Sequence, residues 1–376
     1  MPEFVKNDII SLVGEAPRHD LAESVGPNLR LGELLGADNS WKDVGLGYAT
    51  AAGAPALRAA IADLYGVDAD DVVVTVGGIH ALFLLSHILC GRGEEAVIAA
   101  PVFPPARDTL ISVGARLREL PLTFDDRYQL DPDKLARLLS PVTRLVSLAS
   151  PQNPSGVALP HAALAKVISA MAVRCPDAFL LLDETYRWAV YGDDVPARSA
   201  AAMSQNVVVT GSLSKCHGVP GVRIGWAITP NTKLREQLVV GKFSTVISNS
   251  AVDEMVGLRV LQQAGEIVEA RRQRLRDGLA RTAAWVDRNS ALVEWVRPDA
   301  GALCCIRLRP SVFDNAGVAR FYADLSRRGA RVGDGRWFGE ESRVFRLGFG
   351  LLAPEELDDA LEAVASALRH AQLSAA

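Results

Sequence analysis

The run Thr210-Gly-Ser212-Leu-Ser214-Lys215-Cys-His-Gly218-Val-Pro-Gly221-Val-Arg223-Ile-Gly225-Trp226 places a lysine among hydroxyls, glycines and an arginine. A lysine amine, once neutral, is a nucleophile that forms an imine with an aldehyde. The Ser212 and Ser214 hydroxyls and the Arg223 guanidinium suit a phosphate monoester, the serines through hydrogen bonds and the arginine through a charge-assisted pair. An imine-forming lysine beside a phosphate site points to pyridoxal phosphate as the cofactor.

Four further segments carry groups that such a cofactor needs. The apolar run Phe179-Leu-Leu-Leu-Asp183 ends in a carboxylate suited to pair with a pyridinium nitrogen and keep it protonated. Tyr186, three residues on, is a candidate hydroxyl for the ring's phenolate oxygen. In Thr75-Val-Gly77-Gly78-Ile79-His80, a strand breaks into a glycine pair and opens an apolar helix, whose free amides bind phosphate. His80 there is read as packing or capping. Pro101-Val102-Phe103 offers an aromatic ring for stacking, and Pro151-Gln-Asn153-Pro-Ser-Gly156 holds an amide between prolines.

These groups need strand ends to hold them. From about residue 71 the chain alternates short apolar runs with longer helical stretches, the pattern of a mostly parallel sheet covered by helices on both faces. The predicted strands are Val72–Val76, Ala96–Ala100, Leu117–Pro121, Arg144–Leu148, Phe179–Asp183, Val207–Thr210 and Ile224–Ile228. Several are apolar throughout, as strands buried on both faces require. After Pro230 the pattern changes to long helical segments around Ser250–Asn289. Strands follow at Ala302–Leu308 and near Arg343–Leu347, then a closing helix from Pro354 to about His370. The fold class expected is α/β: a large domain with a seven-stranded sheet, plus a smaller α+β domain. Residues 1–35 are read as an N-terminal arm or lid belonging to the small domain, 36–250 as the large domain and 251–376 as the small one.

Composition narrows the field further. Forty Lys and Arg against 44 Asp and Glu give a net charge of −4, with the signs interspersed, so nucleic acid is not an expected partner. No run reaches the roughly 18 apolar residues of a spanning helix, and the first ten residues carry Glu3, Lys6 and Asp8, so a cytoplasmic location without membrane attachment is expected. Five scattered cysteines show no Cys-x-x-Cys spacing, and no metal site is expected. Gly77-Gly78 does not open a Gly-x-Gly-x-x-Gly dinucleotide fingerprint.

Taken in this order, the five segments resemble the fold-type I pyridoxal-phosphate enzymes, within the class I/II aminotransferase family. The resemblance runs from about Tyr48 to the C-terminus. Tyr48-x4-Gly53-x3-Leu57-Arg58 matches the family pattern whose tyrosine reaches the phosphate of the neighbouring subunit, which implies a homodimer with shared active sites. The resemblance implies Lys215 as the Schiff-base lysine, Asp183 as the pyridinium partner, Tyr186 and Asn153 as ligands of the phenolate oxygen, and Phe103 as the stacking ring. Gly77, Gly78, Ile79, Ser212, Ser214 and Arg223 form the implied phosphate cup. Phe345-Arg346-Leu347-Gly348 is similar to the family strand whose arginine binds the substrate α-carboxylate, with Asn153 beside it.

The implied activity is amino-group transfer from an L-amino acid to a keto acid. The arm adds a fork. Ser24-x4-Leu29-x-Leu31-x-Glu33-Leu34, with Gly-Ser-Leu-Ser-Lys and Pro-Gly-Val-Arg-Ile-Gly-Trp, is similar to a branch containing capreomycidine synthase, whose members cyclise hydroxylated arginines. Elimination, replacement or cyclisation on a hydroxylated arginine-like amino acid in specialised metabolism is therefore the alternative outcome. Glu15, His19, Asp20 and Glu23 are the arm residues considered for a guanidinium. Fold and cofactor residues do not choose between the two outcomes.

Overall fold

The computed structural model describes residues 4–37, 39–191 and 198–373. Residues 1–3 of the expected arm and 374–376 of the expected small domain lie outside them. Two sheets organise the described chain. In chain order the strands are β1 (His19–Leu21), β2 (Val72–Val76), β3 (Glu95–Ala100), β4 (Arg116–Pro121), β5 (Thr143–Ala149) and β6 (Phe179–Asp183). They continue with β7 (Val207–Ser212), β8 (Ile224–Ile228), β9 (Val293–Val296), β10 (Leu303–Leu308), β11 (Ala330–Asp334) and β12 (Val344–Gly348).

The larger sheet has seven strands in the order β2-β8-β7-β6-β5-β3-β4. Only β8 runs against its neighbours; the other pairings are parallel. All seven predicted strands are present, most of them longer by a residue or two. Their composition explains the layering. Val72 and Val74 enter the core on one face while Val73 enters the core on the other, and Leu180 and Leu182 alternate with Leu181 in the same way. Side chains that alternate between two dry faces must all be apolar, so these strands read as unbroken hydrophobic runs. Each such Leu or Val contributes about 1.5–3 kcal/mol by leaving water.

The smaller sheet has five strands in the order β1-β11-β12-β10-β9. β10 and β12 lie where the apolar runs predicted strands; β1, β9 and β11 were not anticipated. The arm contributes β1, paired parallel to β11 from His19 opposite Ala330 to Leu21 opposite Val332. Gly348 makes this approach possible, because a Cβ there would overlap the Glu23 carbonyl oxygen. The closing helix Pro354–Leu373 lies against Asn315–Arg327, sharing one core with β10 and β12. Between the sheets run helices Ala251–Gln262 and Ala264–Arg288.

Among the described residues no helix is long and apolar enough to cross a membrane. No cluster of potential metal ligands occurs among them either. All five cysteines are buried and unpaired.

Candidate active site

Parallel strands leave their carboxyl ends on one edge of the sheet, where ligands of open α/β folds bind. β6 ends at Asp183, β7 runs into the loop that carries Lys215, and β5 leads to Asn153. These ends open on a cavity of about 370 Å³, lined by Asp183, Lys215, Asn153, Tyr186 and Phe103. Gly78, Ile79, Ser212, Ser214 and Arg223 line it as well.

At one end of the cavity the helix Gly77–Leu89 begins with unsatisfied amides. Gly77 donates to the Arg223 carbonyl at 2.8 Å, tying the helix start to the β7–β8 loop. Gly77 itself does not line the cavity. Its φ is +69°, and a Cβ there would strike the Arg223 guanidinium, so the glycine preserves the place of the arginine. Helix amides, two serine hydroxyls and a guanidinium make a cradle for a phosphate. His80 does not enter it: Nδ1 accepts from Val76 N at 3.3 Å and Nε2 meets Thr245 Oγ1 at 3.0 Å, a capping role as read from sequence.

Asp183 is positioned by Thr185, whose backbone N (3.0 Å) and hydroxyl (2.6 Å) both donate to Oδ1. That leaves Oδ2 for a cationic nitrogen. Burial pushes the Asp183 carboxyl up, against the Thr185 hydrogen bonds that hold it down. A ring nitrogen bound there would stabilise the charged form.

The Lys215 amine is pulled down to about 8 by burial, opposed by the Glu23 carboxylate and lowered further by Arg346. A lysine with that acid constant supplies neutral amine near physiological pH. Its nearest polar partner is the Ser24 hydroxyl at 3.3 Å, which also accepts from the Tyr186 hydroxyl at 2.8 Å. Burial drives the Tyr186 phenol above its ordinary value, so it stays a donor.

Arg346, only 2% exposed, does not line the cavity and reaches it through Asn153. Its Nη1 donates to Asn153 Oδ1 at 2.8 Å, its Nη2 to the Ala22 carbonyl, and its plane lies over the Phe338 ring. Nε is buried without a partner, so donors remain for a ligand. Tyr48 stands apart, 84% exposed and away from this cavity. Asp20 is already paired with Arg331 at 2.6 Å, which removes it from the arm carboxylates considered for a substrate cation.

Sequence reasoning missed Ser24 and Thr185 as site residues. Thr185 had a local signal, since a threonine two residues after an aspartate makes this turn readily. Ser24 stood only as the first residue of the arm motif, with nothing to place it at the lysine, which lies 191 residues away.

The profile of the family described as aminotransferase class I and II matches residues 42–364, most of the chain. The chain belongs to that family. Relatives include the arginine–pyruvate transaminase AruH of Pseudomonas aeruginosa, 29% identical over 85% of this chain and 81% of the relative. Capreomycidine synthase of Streptomyces vinaceus is 29% identical over 83% and 78%. Among solved structures, the pyridoxal-phosphate-dependent cyclase OrfR aligns with a TM-score of 0.85 at 27% identity, over 98% and 99% of the two chains. An aminotransferase from Streptococcus suis shares the fold, with a TM-score of 0.87 over 96% of each chain. This aminotransferase-family protein is accordingly a pyridoxal-phosphate-dependent enzyme, and the cavity suits that cofactor: a phosphate cradle at one end, a free carboxylate oxygen at the other, and a lysine amine between.

Proposed function

We propose that this enzyme transfers the amino group of an L-amino acid to a keto acid, with Lys215 as the residue that holds the cofactor and moves the proton. The observation that carries the reading is the meeting of Lys215, Asp183 and Asn153 in one cavity at the strand carboxyl ends. When bound, pyridoxal phosphate supplies an electron sink for the pair left at Cα after proton removal.

The protein's own groups do the rest. Helix amides from Gly78 and Ile79, the Ser212 and Ser214 hydroxyls and Arg223 hold the phosphate, with Gly77 keeping the arginine in place. Phe103 would stack on the ring, and Asp183 Oδ2 would pair with its nitrogen and favour the protonated form. The Asn153 amide would serve the phenolate oxygen while its carbonyl oxygen accepts from Arg346, which would link cofactor and substrate subsites. Tyr186 closes the same side. Arg346 receives the substrate carboxylate with its remaining N–H groups, fixing Cα beside the Lys215 amine. That amine, about half neutral near pH 8, would take the α-proton and return it.

Tyr48 is proposed to reach the phosphate of a neighbouring copy in a homodimer with shared sites. Its exposure, together with exposed Val240, Phe243 and Ile79, supports this. We further propose a cytoplasmic enzyme divided into an arm (1–35), a large domain (36–250) and a small domain (251–376), in keeping with the two sheets of seven and five strands.

A second reading, elimination or cyclisation on a hydroxylated arginine-like substrate, draws on the near full-length likeness to the cyclase OrfR. One experiment separates the two. The cofactor-loaded enzyme is mixed with single amino acids, including arginine and its hydroxylated derivatives, without a keto acid. Stoichiometric release of a keto acid, with the donor's nitrogen left on the enzyme, establishes transfer. Catalytic accumulation of a product that has lost water and kept its nitrogen establishes cyclisation or elimination.

A further inference from the structure

Ser24 is an arm side chain that hydrogen-bonds two of the groups assigned to the chemistry. It is 3% exposed, and its Oγ lies 2.8 Å from the Tyr186 hydroxyl and 3.3 Å from Lys215 Nζ. Lys215 and Tyr186 form a wall between the large cavity and a smaller one with room for about one water. Ser24 lines only the smaller one, so it meets the lysine from the side away from Asp183.

The contact is fixed from both directions along the chain. Before Ser24, β1 pairs with β11, Asp20 pairs with Arg331, and the Ala22 carbonyl accepts from Arg346. After it, the Pro27 carbonyl accepts from Arg271 Nη1 at 2.7 Å and Leu29 N donates to the Gly218 carbonyl at 3.0 Å. Gly218 lies in the same loop as Lys215, so arm and lysine loop are tied together at two points.

A lysine that shuttles protons alternates between an ammonium, which only donates, and an amine, which also accepts. A serine hydroxyl answers both: it has one proton to give and two lone pairs. Tyr186, kept protonated by burial, fills one of those lone pairs as a donor. The other lone pair serves the ammonium, and the hydroxyl proton serves the amine.

We propose that Ser24 is a positioning residue whose hydroxyl holds the Lys215 amine in both of its protonation states, so that lysine chemistry depends on the docked arm. The inference rests on Lys215 being the cofactor lysine, and its test is chosen to stand apart from that reading.

The full chain, freed of cofactor, is labelled competitively with acetic anhydride across a pH series, and acetylation of Lys215 is followed by peptide mass spectrometry. The wild-type midpoint is expected at about 8. In Ser24→Ala the ammonium loses an acceptor, which costs more than the amine's loss of a donor, so the midpoint falls by roughly half to one pH unit. Ser24→Thr restores it. Ser24→Cys keeps the shape with a weak hydrogen-bonding group and carries the test if the alanine variant does not fold; it is expected to shift as alanine does. A packing role alone predicts an unmoved midpoint in folded Ser24→Ala or Ser24→Cys protein, and that result overturns the proposal. If Lys215 is not the cofactor lysine, Lys215→Ala keeps the cofactor absorption while the Ser24 shift persists, so the two failures are distinguishable.

Discussion

The two halves of the active site are held by different means. On the large-sheet side, Asp183 and Lys215 sit at the ends of adjacent strands β6 and β7, within short stretches that carry their own supports: Thr185 for the aspartate, Ser212 and Gly218 for the lysine loop. On the arm side, Ser24 and Arg346 come from chain positions more than 300 residues apart. They are brought together by β1–β11 pairing, the Asp20–Arg331 ion pair and the Ala22–Arg346 hydrogen bond. Local ladders fix the groups proposed to hold the cofactor, and long-range packing fixes Arg346, proposed to meet the substrate, and Ser24, proposed to position the lysine. The first half is therefore built before ligand arrives, while the second depends on the docking of one short strand.

Substitutions on each side test that division. The largest effect is expected from Lys215→Ala, which removes the amine from the rigid half: the bound-cofactor absorption is lost and amino transfer falls by more than roughly a thousandfold. Retention of that absorption would overturn the assignment. Next comes Arg346→Lys, which keeps the charge but not the forked donors. In steady-state kinetics KM for the amino donor rises about 10- to 100-fold, with a smaller change in kcat. A kcat loss with KM unchanged would move Arg346 out of the substrate subsite.

Asp20→Asn changes no residue that lines the cavity and reads the arm, together with the charge that Asp20 lends to Arg346. The buried carboxylate loses its charge against Arg331, itself 19% exposed in its side chain, while the turn hydrogen bond from Ala22 N remains. Urea unfolding is expected to show a loss of about 1–2 kcal/mol, and kcat to fall several-fold as Ser24 loses its anchor. Equal effects on cofactor binding and on turnover would show that the two halves are not separable.

A further effect is one of pH. His217 is buried with neither ring nitrogen paired, and burial pulls its pKa to about 4 from the ordinary 6.5. Between those values the unfolded chain binds a proton that the folded chain refuses. The stability is thus complete above about 6.5 and lost as pH falls toward 4. Urea titrations at several pH values should show this slope, and His217→Phe should make it shallower, with His80, pulled to about 4 as well, keeping the rest.

Much of the molecule was legible without coordinates, and the residues show why. A strand buried on both faces must be apolar along its length, so Val72–Val76 or Phe179–Asp183 announces itself. A motif such as Gly-Ser-Leu-Ser-Lys holds a lysine and the hydroxyls proposed for a phosphate within a few residues, so a chemical reading of sequence reaches it. β1 is His-Asp-Leu, three residues with no period or propensity to mark them. It is a strand because β11 offers an edge and Gly348 leaves room beside Glu23. Asp20, considered from sequence as a receiver for a substrate cation, is instead taken by Arg331.

The sequence by itself determined the sheet and the cofactor chemistry and singled out Lys215 as the lysine to propose, because strand burial and loop chemistry are local properties carried by neighbouring residues. Only the tertiary structure decided that Arg346 reaches the cavity through Asn153, and that Ser24 completes the surroundings of Lys215. Those contacts join residues 191 or more positions apart. Their geometry follows from how two sheets and an arm pack, which no spacing in the chain encodes.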